Sequence, residues 1–140
     1  MTLPHPFDAR RLAAALLLAL TAAGPRLAVH DGDTVRLGRE RMRLDGIDAP
    51  EVQGSPACQP GARGHHDCDF AAGERSRAAL VAILARGPVT IERVGDGGYG
   101  RTAVRLSVAG EDVSCTMWRA GVAAPPHDTR RYGWPCRRAR

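Results

Sequence analysis

Two runs of the chain, residues 27–37 and 41–47, set Leu27, Val29, Val35 and Leu37, then Met42 and Leu44, at alternating or near-alternating positions among polar residues. A period of two sends apolar side chains to one face of a strand and polar ones to the other, so both runs read as β-strands. Gly38 falls where the chain must turn between them.

The period changes further on. Between Ala71 and Arg86, Ala79, Leu80, Ile83 and Leu84 recur at threes and fours, and Gly87-Pro88 stops the pattern, which predicts a helix. PVTIERV (88–94) and RTAVRLSV (101–108) are rich in β-branched residues, and the glycines of the intervening GDGGYG suit a hairpin loop. Val113, Met117 and Trp118 predict a short second helix ending near Gly121. Residues 52–68, full of Gly, Pro and polar groups, have no period and read as a long loop.

The resulting order is three strands, a helix, two strands and a short helix, in one domain, since 140 residues leave little room for a second. It predicts a β-rich α+β fold: a five-stranded OB-type barrel with a helix between strands 3 and 4 and a short C-terminal helix. Closure would remove exposed edges, although a flat sheet with a helix on one face fits the string almost as well.

Four cysteines, Cys58, Cys68, Cys115 and Cys136, form an even set and read as two disulfides. Cys58 with Cys68 would staple the long loop and Cys115 with Cys136 would tether the tail, while two other pairings remain open to a set of four. HHDC, His65 to Cys68, lacks the CxxC pair expected of a zinc site, so its histidines read as solvated. At the N-terminus, Arg10-Arg11, the apolar run 12–20 and the small residues of TAAG read as a signal peptide over residues 1–23, too short to span a bilayer. Residues 24–124 then form the domain and 125–140 a short basic tail, in a secreted or periplasmic protein.

All 20 basic residues are arginine and the formal net charge is +5, which implies an acidic partner, nucleic acid before others. With aromatics at 4%, contact through arginine and phosphate is favoured over base stacking. The lack of a basic amphipathic helix disfavours a membrane surface.

Against that basic background, six acidic side chains lie between His30 and Glu51. Asp31 and Asp33, two apart in a strand, would leave on one face, and Asp48 and Glu51 flank the rigid Ala49-Pro50 step. Gathered carboxylates need neutralising, and a hard divalent cation does it; calcium suits an irregular loop-edge site better than magnesium does. DGDT is not an EF-hand, because Arg36 and Met42 stand where that loop needs Gly and Glu. Its plainer reading is a β-turn. Arg43 and Arg101, on predicted strands, could fork onto phosphate oxygens, or simply pair with acids on a solvated face. Arg43 and Asp48 can share a site only if the chain bends between them, and Gly46 is the place for that bend.

DGDTVRL, RLDGIDAPE and YGRTAVR, in this order, with the helix GERSRAALVAIL and the segment GEDVSCTMWRAGVA, resemble the staphylococcal nuclease, or thermonuclease-like, family over roughly residues 26–124. The resemblance implies a calcium-dependent nuclease that cleaves phosphodiester bonds of DNA and/or RNA with little base specificity, leaving 3′-phosphate ends. Carried over by position, Asp33, Asp48 and the backbone carbonyl of Ala49 are the calcium ligands, with Asp31 behind them. The same resemblance implies Glu51 as the general base, Arg43 and Arg101 as phosphate clamps, and Tyr99 as a substrate contact. A monomer is expected.

The chain departs from the family where Gly97-Gly98 replace a charged pair before YGR, and in its short, proline-led tail. Tyr132 and Trp134 in that tail could stack on bases, but packing under a Cys115–Cys136 bridge is the favoured reading. These departures keep a second reading open: a catalytically weak or silent OB-type module that binds nucleic acid.

Overall fold

The computed structural model describes residues 26–64, 66–126 and 136. The expected signal peptide, His65 and the tail positions Tyr132 and Trp134 lie outside them. The elements are β1 (Ala28–Val29), β2 (Thr34–Leu37), β3 (Glu40–Leu44), a 3-10 turn (Pro56–Cys58), α1 (Phe70–Leu84), β4 (Val89–Gly98), β5 (Arg101–Val108), β6 (Glu111–Asp112) and α2 (Val113–Arg119).

Six strands form one mixed, open sheet in the order β1-β2-β3-β5-β4, with β6 against β5. The β1–β2, β2–β3, β4–β5 and β5–β6 pairs are antiparallel, whereas β3 and β5 run parallel, Met42 beside Thr102 and Leu44 beside Val104. A parallel neighbour needs a long crossover, and α1 lies within it. Among the described residues the fold is therefore β-rich α+β with two helices. The helix between the third and fourth strands and the short helix after the sheet stand where the sequence predicts them.

Burial follows the alternation. Val35, Met42, Leu44, Val104, Leu106 and Val108 face the core, which Ile47, Leu80 and Ile83 of α1, and Val113 and Met117 of α2, complete. Asp69 caps α1 by accepting from the Ala72 amide at 2.9 Å, and Asp112 caps α2 through the Cys115 amide at 2.8 Å. Each cap satisfies an amide that the first helical turn leaves without a partner.

Three boundaries differ from those predicted. The run 27–37 is not one strand: residues 30–33 are a bend between β1 and β2, held by the Asp33 amide donating to Asp31 Oδ1 at 3.1 Å. The side chain of Asp31 thus competes with the ladder for a backbone donor. The second run stops at Leu44, because Asp45-Gly46 turns, with Gly46 at φ 81°. The last hairpin is tighter than its glycines suggest. β4 continues to Gly98 through register shifts between Arg93 and Gly95 and between Asp96 and Gly98, leaving a two-residue turn of Tyr99 and Gly100, both at positive φ.

Cys58 pairs with Cys68, and Cys115 with Cys136. The first bridge staples the loop, whose mouth is closed by the Glu51 amide donating to the Asp67 carbonyl at 2.7 Å. The second fixes buried Cys136 to α2. Disulfides of this kind persist in oxidising compartments and not in a reducing cytosol. No helix among the described residues is long and apolar enough to cross a membrane.

Candidate functional site

Two loops and two strands meet at the site. The bend before β2 carries Asp31 and Asp33, the segment after β3 carries Asp48, Ala49 and Glu51, β3 itself carries Arg43, and the start of β5 carries Arg101. The positive φ at Gly46 reverses the chain after β3, and a backbone bridge between Asp48 and Ala124 holds the segment that returns.

Two small residues of α1 set how closely the loops approach. A Cβ at Gly73 would strike the Glu51 carbonyl oxygen and lie 3.1 Å from that of Pro50. A Cβ at Gly32 would fall on the Ser76 hydroxyl and lie 2.7 Å from the Ala49 Cβ. Helix, bend and Ala49-Pro50 step are thus in direct contact, with glycine at both closest points. The Ser76 hydroxyl is fully buried and has no hydrogen-bond partner among the described residues.

At the centre, Arg43 Nη2 donates to Asp33 Oδ2 at 3.0 Å and to Asp48 Oδ1 at 2.7 Å. One guanidinium nitrogen therefore joins carboxylates that are 15 residues apart in sequence. Asp33 is buried and well satisfied: Oδ2 also accepts from the Ala49 amide at 3.2 Å, and Oδ1 from Thr34 Oγ1 at 2.9 Å. Thr34 Oγ1 in turn accepts from Arg101 Nη1 at 3.3 Å. Arg101, Thr34, Asp33, Arg43 and Asp48 make one continuous network.

Arg101 is held further by the carbonyls of Gly98, from Nε at 3.1 Å, and Gly97, from Nη2 at 3.3 Å. Burial lowers its affinity for its proton, as does the Arg43 charge, while Asp33 and Asp31 oppose both effects. A guanidinium remains charged under such shifts, so the meaning is a cation partly stripped of water. Asp31 is pushed up to about 6, first by burial and then by the neighbouring Asp33 charge. Burial, with Asp33 beside it, thus favours the protonated form of Asp31.

Glu51 faces a different set of partners. Its Oε2 accepts from Ser55 Oγ at 2.6 Å, and its Oε1 lies 3.7 Å from His66 Nδ1. Both contacts lead from Glu51 to the disulfide-stapled loop and its mouth. Tyr99 is 86% exposed, its ring centroid 5.7 Å from Arg101 Cζ. Sequence reasoning missed Thr34, Ser55 and His66. The signal for Thr34 lay in DGDT itself, a hydroxyl beside an acid at a strand start. Ser55 and His66 reach Glu51 only through the fold of a stapled loop, and no local pattern marks them.

Beside Asp48 a groove of about 570 Å³ opens between Pro50, His66, Arg75 and residues 121–125. Asp48, with a side chain 39% exposed, is part of the lining of this groove. Carboxylate and carbonyl oxygens are the donors a hard cation takes. Among the described residues, three His, Cys, Asp or Glu ligand atoms come together only at Asp112, Cys115 and Cys136, where both sulfurs are tied up in the disulfide. A cation at Asp33 and Asp48 would accordingly have two side-chain carboxylates.

No known family model matches the chain. Over 108 residues it is 34% identical to the succinoglycan biosynthesis protein ExoI of Rhizobium meliloti (strain 1021), a stretch that takes in 76% of this chain and 53% of that protein. The chain thus spans about half the length of the curated relative it matches. That relative's name specifies no reaction.

Proposed function

We propose that this chain is a calcium-dependent phosphodiester hydrolase acting on DNA and/or RNA, an exported nuclease of the thermonuclease-like type whose sheet curls into an OB-type barrel. The observation that carries the reading is the single Arg43 nitrogen shared by Asp33 and Asp48, with Arg101 joined to the same network through Thr34. A module that merely binds phosphate has no need of two carboxylates competing for its arginine.

On this reading Asp33, Asp48 and the Ala49 carbonyl would hold a calcium ion, which would supply Lewis-acid chemistry toward a phosphoryl oxygen. Arg43 and Arg101 fork onto the remaining phosphoryl oxygens and meet the charge added in the five-coordinate transition state. Glu51 accepts the proton of the attacking water, and Ser55 and His66 orient its carboxylate. Water oxygen bonds to phosphorus, the bond to the 5′ oxygen breaks, and that oxygen takes a proton from solvent, leaving a 3′-phosphate. Tyr99, exposed beside Arg101, lies against the sugar-phosphate chain.

The test is incubation of the purified protein with denatured DNA and with RNA, in calcium, in magnesium and in chelator. Degradation in calcium, lost in chelator and in Glu51→Gln, is expected, and Arg43→Ala or Arg101→Ala should slow it by about 10²–10³. Tight binding with no degradation in any metal would replace the enzyme by the silent module.

A further inference from the structure

The outer face of the sheet carries more arginine than the proposed chemistry uses. Thr34 and Arg36 of β2 alternate with core-facing Val35, and Arg41 and Arg43 of β3 alternate with core-facing Met42, so these four share the face away from the core. The register sets Arg36 directly opposite Arg41. Continuing the parallel pairing of Met42 with Thr102 by one residue sets Arg41 beside Arg101. Three adjacent strands therefore present Arg36, Arg41 and Arg101 in one row, and Arg41 adds to the positive field at Arg101.

Like charges directly across a strand pair are destabilising. Arg36 and Arg41 are exposed, and among the described residues neither has an acidic partner. The far end of the same face is different. Arg105 pairs with Asp45 at 3.3 Å, and Glu92 stands opposite it on β4. The uncompensated charge is thus confined to the end of the face that adjoins Arg43 and Arg101.

We infer that Arg36 and Arg41 form a second phosphate subsite, which holds the phosphate next to the scissile one and makes a polynucleotide strand the substrate. This rests on the phosphodiesterase reading for its starting point at Arg43 and Arg101. Arg41 and Arg43 are two residues apart on one strand, roughly 6.7 Å, comparable to the spacing of neighbouring phosphates on an extended strand. A strand anchored at Arg43 and Arg101 therefore meets the Arg36–Arg41 pair one step along, and its phosphate neutralises two guanidinium groups that repel each other in the free protein. The exposure of both side chains leaves their forks available for bidentate contact.

The experiment measures binding of a fluorescent oligothymidine to the full chain in chelator, where turnover is absent, over a series of salt concentrations. Arg36→Ser/Arg41→Ser should weaken binding and reduce the slope of log affinity against log salt by about 0.7, the value for one phosphate contact on a single strand. Arg86→Ser/Arg119→Ser removes the same charge outside the sheet and should leave the slope unchanged. The first variant should melt no lower than the parent, since it relieves the Arg36–Arg41 repulsion; if it fails to fold, Arg41→Gln alone is read the same way. Equal slopes for both double variants, or tighter binding of alginate than of oligothymidine, would overturn the subsite. The nuclease reading is judged separately by degradation in calcium, so degradation with equal slopes sinks the subsite alone. A lowered slope without degradation sinks the enzyme alone.

Discussion

Replacing Gly73 by alanine sets two effects of opposite sign against each other. In a helix interior the change is worth about 1 kcal/mol in favour of alanine, because glycine loses more backbone freedom on folding. Gly73 is buried, and the new methyl would strike the Glu51 carbonyl oxygen and lie 3.1 Å from the Pro50 oxygen. Both are backbone atoms of the step that carries Asp48 and Glu51, and a backbone cannot rotate away as a side-chain end can. Overpacking of this kind costs about 1–3 kcal/mol, and with no flexible neighbour the upper part of that range applies. The net expectation is a loss of about 1–2 kcal/mol, or roughly 4–16 °C in melting temperature for a domain near 100 residues. Gly87→Ala is the control, since its Cβ would meet nothing closer than the Val108 methyl at 3.9 Å. It should be neutral or slightly stabilising. Thermal melts of the three proteins decide the matter, and a Gly73→Ala protein as stable as the parent would refute the claim that α1 and the Asp48–Glu51 segment are in rigid contact.

Ser76→Ala removes a buried hydroxyl that has no partner among the described residues, so it should be neutral or stabilising by about 1 kcal/mol in denaturant melts; a clear loss would reveal a bond to that oxygen. Opening either disulfide, by Cys58→Ser/Cys68→Ser or Cys115→Ser/Cys136→Ser, should cost about 3 kcal/mol from the entropy of the loop it closes, read as a fall in urea midpoint that reductant reproduces in the parent. Glu40 is held below its ordinary carboxylate range by the two hydrogen bonds from Arg93. The lowered value makes Glu40 stabilising above pH 4.5, with that stability lost as pH falls through the lowered value, so Glu40→Gln should be the less stable protein at neutral pH and converge with the parent in acid.

Legibility in the sequence divides along a physical line. Local periodicity reports which face of an element is buried, so the alternation from Val35 to Leu44 and the spacing of Leu80 and Ile83 gave the strands, the helix and the core-facing side chains. It does not report where backbone finds its partners. The bend at residues 30–33 replaces ladder bonds with the Asp31 side chain, so an alternating run became two short strands. Asp31 and Asp33 therefore do not leave one face of a strand, and it is Arg43 that draws Asp33 to Asp48. Gly46 was readable as a bend because an odd step from Arg43 to Asp48 required one. The partners of Glu51 were not readable, since Ser55 and His66 arrive through a loop shaped by a disulfide and a single backbone bond at its mouth.

The network also bears on the order in which ligands could act. Without ligands, Arg43 is the counter-ion of Asp33 and Asp48, the more exposed of the two being Asp48. A cation bound to those carboxylates alone would weaken their hold on Arg43, whose charge is like that of Arg101. A phosphate bound to the arginines alone would draw Arg43 away from Asp33 and Asp48, beside Asp31, where burial and the Asp33 charge already disfavour the ionised form. Each ligand therefore creates the imbalance that the other removes, and on the proposed reading their affinities must rise together by one common factor. Thr34, hydrogen-bonded to both halves, is the side chain through which the two are joined.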